Sequence, residues 1–214
     1  WCGTYCPAEP RPGMGIPSLP QVIEGISAAW RSQRAEIEAQ AEELASAVAQ
    51  QIGRVAEPVR IGAEQVSRAV SELLQSFDRN HGGFGGAPKF PQPAFLDFLL
   101  EARSAAGDEP TRVAVDAAVR TTLDKMAIGG VRDQVGGGFH RYAVDATWTV
   151  PHFEKMLYDN AQLASTYAAA AGVYGDGYYS AVVRELLDDM LREMTSPSGG
   201  FFSAQDAEVD GREG

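Results

Sequence analysis

The residues best able to do chemistry fall in two short clusters, His140-Arg141-Tyr142 directly after a run of glycines and His152-Phe153-Glu154 directly after Pro151. Together they offer an imidazole that can carry a proton near neutral pH, a carboxylate to partner it, and aromatic faces for a sugar-like ring. His140 and His152 are the candidate acid/base groups, with Glu154 or Asp206 as the carboxylate and Arg141, Tyr142 and Gln205 along the border of the same cleft. The plainer reading of a lone loop histidine is a hydrogen-bonded structural group. Trp148, Tyr142 and Phe84, with Lys89 beside them, could form a stacking floor for a sugar, though simple core packing is the better reading of Phe84 and Phe139; Trp148, in Ala146-Thr-Trp-Thr, has no helical or buried-strand pattern and is expected to be exposed. Asn160 is a polar residue in an apolar stripe, costly there unless paired or facing a cavity, so it reads equally as a pocket contact or as a buried cap for a neighbouring loop.

Two further patterns are weaker. Asp206-Ala-Glu208-Val-Asp210-Gly211 partly imitates a calcium loop, but its third position is Glu and no helix leads in, so a solvated acidic turn is the better reading. Cys2 and Cys6 are spaced C-x3-C, which in an extended strand places them roughly 13 Å apart, too far for a disulfide. No metal and no cofactor is implied.

These groups must be positioned by helices. Apolar residues recur at helical spacing over about 62–77 (Val66, Val70, Leu73, Leu74, Phe77), from Pro93 (Phe95, Phe98, Leu99), over 109–127 (Val115, Val119, Leu123, Met126) and over 177–195 (Tyr179, Val182, Leu186, Met190). Pro151 is expected to open a further helix whose Phe153, Met156, Asn160, Ala164 and Tyr167 share a face. Ser18 reads as the N-cap of one long, charged helix running to about Gly53. A Gly-Gly-Phe element recurs with its Phe at 84, 139 and 201, each time just after an amphipathic helix. One helical hairpin per repeat cannot bury its own apolar stripe, so neighbours must pack into a ring or solenoid: an all-α chain, an incomplete α/α toroid.

The formal charge of −11, with 18 Lys and Arg and no basic cluster, excludes a nucleic-acid or anionic-membrane surface and leaves a small neutral or cationic molecule as the easier partner. The longest uncharged stretch, 160–175, is too short to span a bilayer. Two cysteines in 214 residues fit a reducing compartment, the cytoplasm by default. With Trp1 first, any targeting segment is expected upstream.

The blocks FDRNHGGFGGAPKFPQP (77–93), DQVGGGFHRYAVDATWTVPHFEKMLYDNAQL (133–163) and GGFFSAQDAEVDGREG (199–214) are similar to the spermatogenesis-associated protein 20-like family of thioredoxin-domain proteins. That resemblance implies an N-terminal thioredoxin-like domain joined to an (α/α)6 toroid like those of N-acylglucosamine 2-epimerases and six-hairpin glycosidases. Residues 1–50 would then be the end of the thioredoxin-like domain, 51–77 connecting helices and 78–214 the first half of the toroid. The family's Gly-Gly-Thr-Tyr-Phe-Pro pattern is Cys2-Gly-Thr-Tyr-Cys6-Pro7 here, so neither cysteine inherits a redox role. Two functions follow as expectations: a carbohydrate isomerase or hydrolase, or a redox-linked or non-catalytic binding module serving the thioredoxin-like domain.

Overall fold

The computed structural model describes residues 6–10, 15, 17–53, 60–105, 108–209 and 212–213, and the chain divides into two compact units, 1–60 and 61–214. The strand end expected before residue 6, and Cys2 with it, lie outside the described residues; Cys6 is half-buried and a free thiol.

In the first unit the long helix expected from Ser18 is two helices, α1 (Leu19–Ser32) and α2 (Arg34–Ile52). Gln21 reaches back to the Ser18 N–H at 2.9 Å, fixing the start of α1. The break falls at Gln33, whose φ of −130° is not helical, directly after Ser32 has turned its hydroxyl back onto the Ala28 carbonyl at 2.9 Å. That local back-bonding competes with the helical ladder.

The second unit is a two-row stack of helices. α3 (Ala63–Ser76) packs beside α5 (Glu109–Ile128), while α4 (Pro93–Ala105) packs beside α6 (Leu157–Tyr174); α4 also packs on α5, and α7 (Gly177–Glu193) on α6. This unit takes in α3, which the sequence divides off as a connecting segment. Its core is the apolar stripe of each helix: Leu96 and Leu99, Val115, Val119, Leu123 and Met126, Leu163 and Tyr167, then Tyr179, Val182 and Leu186, all buried. Asp108 caps α5 by accepting from Thr111 N–H (2.8 Å), and Asp176 caps α7 by accepting from Tyr178 N–H (2.9 Å). Gly175, at φ 64°, ends α6 in the left-handed conformation that favours glycine.

The expectation of a helix from Pro151 is corrected. Residues 151–156 are extended: β2 (Pro151–His152) pairs antiparallel with β1 (Tyr142–Ala143), and β3 (Lys155–Met156) with β4 (Ala204–Gln205); β5 (Glu208–Val209) pairs with β6 (Arg212–Glu213). Pro151 lies opposite Ala143, a strand position where a missing N–H is tolerated. The backbone of Lys155 is taken up by Gln205 before α6 can begin, and Met156 caps α6 with an extended φ, ψ of −101°, 137°. Phe153 and Met156 therefore do not share a helical face with Asn160.

Candidate active site at the rim of the helical ring

Both complete glycine loops are built on one plan. In the first, Asp78 N–H donates to Gly83 O (2.9 Å) and Gly82 N–H returns to Asp78 O (2.8 Å); in the second, Asp133 N–H donates to Gly138 O (3.0 Å) and Gly137 N–H to Asp133 O (3.1 Å). Each Asp side chain also accepts backbone N–H groups of its own loop, from Asn80 and His81 or from Val135 and Gly136. A buried lysine then closes the loop. Lys89 Nζ donates to Asp78 (2.7 Å) and the Gly82 carbonyl (2.8 Å), and Lys155 Nζ to Asp133 (3.0 Å), the Gly137 carbonyl (2.7 Å) and Asp189 of α7 (3.0 Å). Burial would raise the two loop carboxyls, but lysine and backbone hydrogen bonds outweigh it and bring each to about 2. Positive φ at Gly82, Gly83, Gly137 and Gly138 lets the chain turn this tightly.

This clasp corrects two sequence expectations. Lys89 is fully buried inside it, not a cation beside a ligand floor. Trp148 is 0% exposed; its Nε1–H donates to the His81 carbonyl at 2.9 Å and its ring lies 5.5 Å from Lys89 Nζ. Phe84 is core as well, edge-on to Phe95.

Asn160 is the buried cap. Its Oδ1 accepts from Phe139 N–H (2.7 Å) and its Nδ2 donates to the carbonyls of Phe139 and Met156 (both 3.0 Å), so all of its polar capacity goes to the loop above α6 and none to a pocket. The pocket-contact reading of Asn160 is set aside.

Arg141, Tyr142, His152 and Glu154 lie together. Arg141 N–H donates to the Glu154 carbonyl at 2.7 Å, and its guanidinium reaches the Glu154 carboxylate at 2.8 Å. His152 Nε2 is 3.9 Å from the same carboxylate. Across the β1–β2 pair Tyr142 stacks on His152, with centroids 4.8 Å apart and planes at 15°, and the Phe90 ring lies 4.8 Å from that of Tyr142, tilted by 33°. His152, Glu154 and Arg141 are only half-buried, within reach of a solute. Gln205 sits opposite Lys155 on β4, the residue next to Glu154, and both Gln205 and Asp206 are exposed. The side chain of Glu208 and the rest of the calcium-like loop, Asp210 and Gly211, lie outside the described residues.

His140 is less accessible. It is 7% exposed, edge-on to Phe153 with centroids 5.2 Å apart, and its Nδ1 makes no hydrogen bond. Burial pushes its pKa down to about 4, with Lys155 adding to the effect and Asp133 opposing it, so near pH 7 it is a neutral imidazole.

Asp159 lies within electrostatic reach of Arg141 and Glu154. Burial lifts its carboxyl to about 6, Arg141 opposing and Glu154 adding, which makes it able to give or take a proton near neutral pH. In the sequence its signal is that of Asn160 beside it, a polar residue within an apolar helical stripe. Phe90 and the paired loop lysines had a signal that needs two loops side by side: an Asp ahead of each Gly-Gly-Phe and a Lys before each following helix.

No helix among the described residues is long and apolar enough to cross a membrane. No family model matches the chain. Solved structures similar to it include a sugar epimerase from a ruminal bacterium (TM-score 0.57, 16% identity, covering 70% of this chain and 42% of that one). Another is cellobiose 2-epimerase from Spirochaeta thermophila (TM-score 0.57, 21% identity, 66% and 38%). They establish the fold, an α/α toroid of which this chain holds part. Human spermatogenesis-associated protein 20 is 36% identical over 219 residues, covering 96% of this chain and 26% of that protein. The chain spans about a quarter of that relative's length and, over that stretch, is a homologue of the spermatogenesis-associated protein 20 proteins.

Proposed function

We propose that the toroid acts on a carbohydrate, as an isomerase or epimerase that moves a proton at a carbon beside a sugar carbonyl, with hydrolysis of a glycoside as the second reaction open to the same groups. The observation that carries this reading is the rim cluster, in which one carboxylate, Glu154, faces both the Arg141 guanidinium and the His152 imidazole, beside the stacked pair Tyr142 and His152. His152 is the proton-transfer group, Glu154 orients it, and Arg141 is placed to polarise a carbonyl oxygen. Tyr142 and Phe90 supply an aromatic flank for the ring, and Asp159 a second group whose protonation changes near neutral pH. The likeness to sugar epimerases supports the class of ligand, by analogy of fold.

A thioredoxin-like domain ending near residue 50, which rests on the family resemblance, and a cytoplasmic setting, which rests on the sparse cysteines, belong to the same reading. The test is turnover of a panel of aldoses, ketoses and disaccharides by the full-length protein. His152→Ala should lower turnover by ~100-fold or more if it transfers the proton; unchanged turnover in a folded variant removes it from the mechanism.

A further inference from the structure

The two clasped loops differ by one insertion. From the Phe of the Gly-Gly-Phe element to the clasp lysine is five residues in the first loop (84 to 89) and sixteen in the second (139 to 155). Around the insertion the register repeats: Lys89 pairs with Ala143 and Lys155 with Gln205, each partner four residues beyond the next Phe (139 to 143, 201 to 205). The extra eleven residues are therefore an arm added to a common plan, and the arm carries His152 and Glu154.

An added hairpin of this length would ordinarily be mobile at its tip. This one is folded back and pinned. Asp145 closes it, accepting from Thr147 N–H (2.6 Å), Thr149 N–H (3.2 Å) and Val150 N–H (2.5 Å). Trp148, at the turn, adopts φ 66°, an uncommon conformation for a bulky side chain that surrounding contacts must hold in place. Its indole fills the space above the first loop, where a Cβ on Gly83 would lie 2.6 Å from Cζ2, and its carbonyl accepts from Val131 N–H at 3.0 Å. The tip of the arm is thus locked against a loop whose own shape is fixed by the Asp78–Lys89 ion pair.

We infer that Trp148 is a positioning residue: it pins the inserted arm to the first glycine loop and so sets where His152 and Glu154 stand relative to Arg141 and Tyr142. The inference deepens the proposed carbohydrate site and rests on that reading for its consequence in turnover, but the pinning itself is a property of the arm. A misplacement of about 1 Å at a reacting group costs on the order of 100-fold in rate, so a loosened arm should affect kcat more than KM.

The experiment compares Trp148→Ala and Trp148→Phe in the full-length protein by hydrogen–deuterium exchange and by sugar turnover. Phe keeps an aromatic wedge but has no donor for the His81 carbonyl, and it decides the matter if the Ala variant does not fold. The expected result is ~10-fold faster exchange over 142–154 with α5 and α6 unchanged, since local opening is separable from global unfolding. With it should come a fall in kcat of roughly 10-fold at nearly constant KM. Unchanged exchange of the arm in a folded variant, or an equal rise across α5 and α6, overturns the inference. Absence of sugar turnover in the parent protein would overturn the proposed function instead, leaving the exchange result to judge the pin.

Discussion

Two groups at the rim titrate abnormally in opposite senses, and their linkage to folding makes an arithmetic that can be checked. His140 moves from 6.5 to about 4 on folding. Between those values the unfolded chain takes up a proton that the folded chain refuses, so this residue makes stability fall as pH drops through that window. Asp159 moves from 3.8 up to about 6. Below pH 6 the folded chain accepts its proton first, so acidification from 6 toward 4 adds stability through this residue. The two slopes oppose each other over nearly the same range. Asp159→Asn removes the compensating slope, and its urea midpoint should fall more steeply than that of the parent between pH 6.5 and 4. Parallel curves for the two proteins would show that Asp159 is not raised. At this scale the sequence exposed the chemistry of His140 and His152 but not their difference. A histidine one residue past a glycine loop and one beside a proline have no periodicity to report burial, and tertiary packing, with Phe153 edge-on to His140, encloses one imidazole and leaves the other half-buried.

At the level of elements, the helices α3, α4, α5 and α7 were legible because each carries an apolar stripe at helical spacing with Asp, Pro or Gly at its ends. The start of α6 was not. Pro151 carries the same local signal as Pro93, yet pairing of the 151–156 segment with β1 and β4 outweighs its local preference, a tertiary effect invisible in a local window. The consequence falls on Asn160. With three hydrogen bonds it holds both backbone groups of the buried Phe139 and the carbonyl of Met156, joining the glycine loop to the first turn of α6. Asn160→Ala strands those groups without water and should cost about 3 kcal/mol, given that each buried unsatisfied polar group costs about 1–3 kcal/mol. Urea unfolding would measure it. A variant of parental stability that has lost ligand binding would restore the pocket role set aside above.

For the whole molecule, the repeat of Gly-Gly-Phe elements was the strongest message in the sequence, since a hairpin that cannot bury its own stripe demands neighbours. The structure adds where those neighbours belong. A groove of about 350 Å³ opens along α3, where Val66, Val70 and Leu74 alternate with Ser67, Ser71 and Gln75, and one of about 380 Å³ lies between α6 and α7, lined by Ala168, Ala171, Gly172 and Val183 with Ser180 and Arg184. They lie at opposite ends of the helical stack, on different surfaces. In the ruminal sugar epimerase the matched region is 42% of the chain. With two unlike grooves, one of mixed polarity and one lined mainly by small apolar residues, these 214 residues studied alone should associate head to tail, an arrangement that adds copies without a fixed stop unless the rotation closes a ring. Sedimentation velocity should show mass rising with concentration. Gly172 offers a clean block, because it lines the α6–α7 groove and a Cβ added there meets nothing within 4 Å in its own chain. Gly172→Glu should suppress association while leaving the melting temperature unchanged or higher, since Glu is the better helix former. Association undiminished in that variant would place the contact elsewhere and leave the α6–α7 groove without its neighbour.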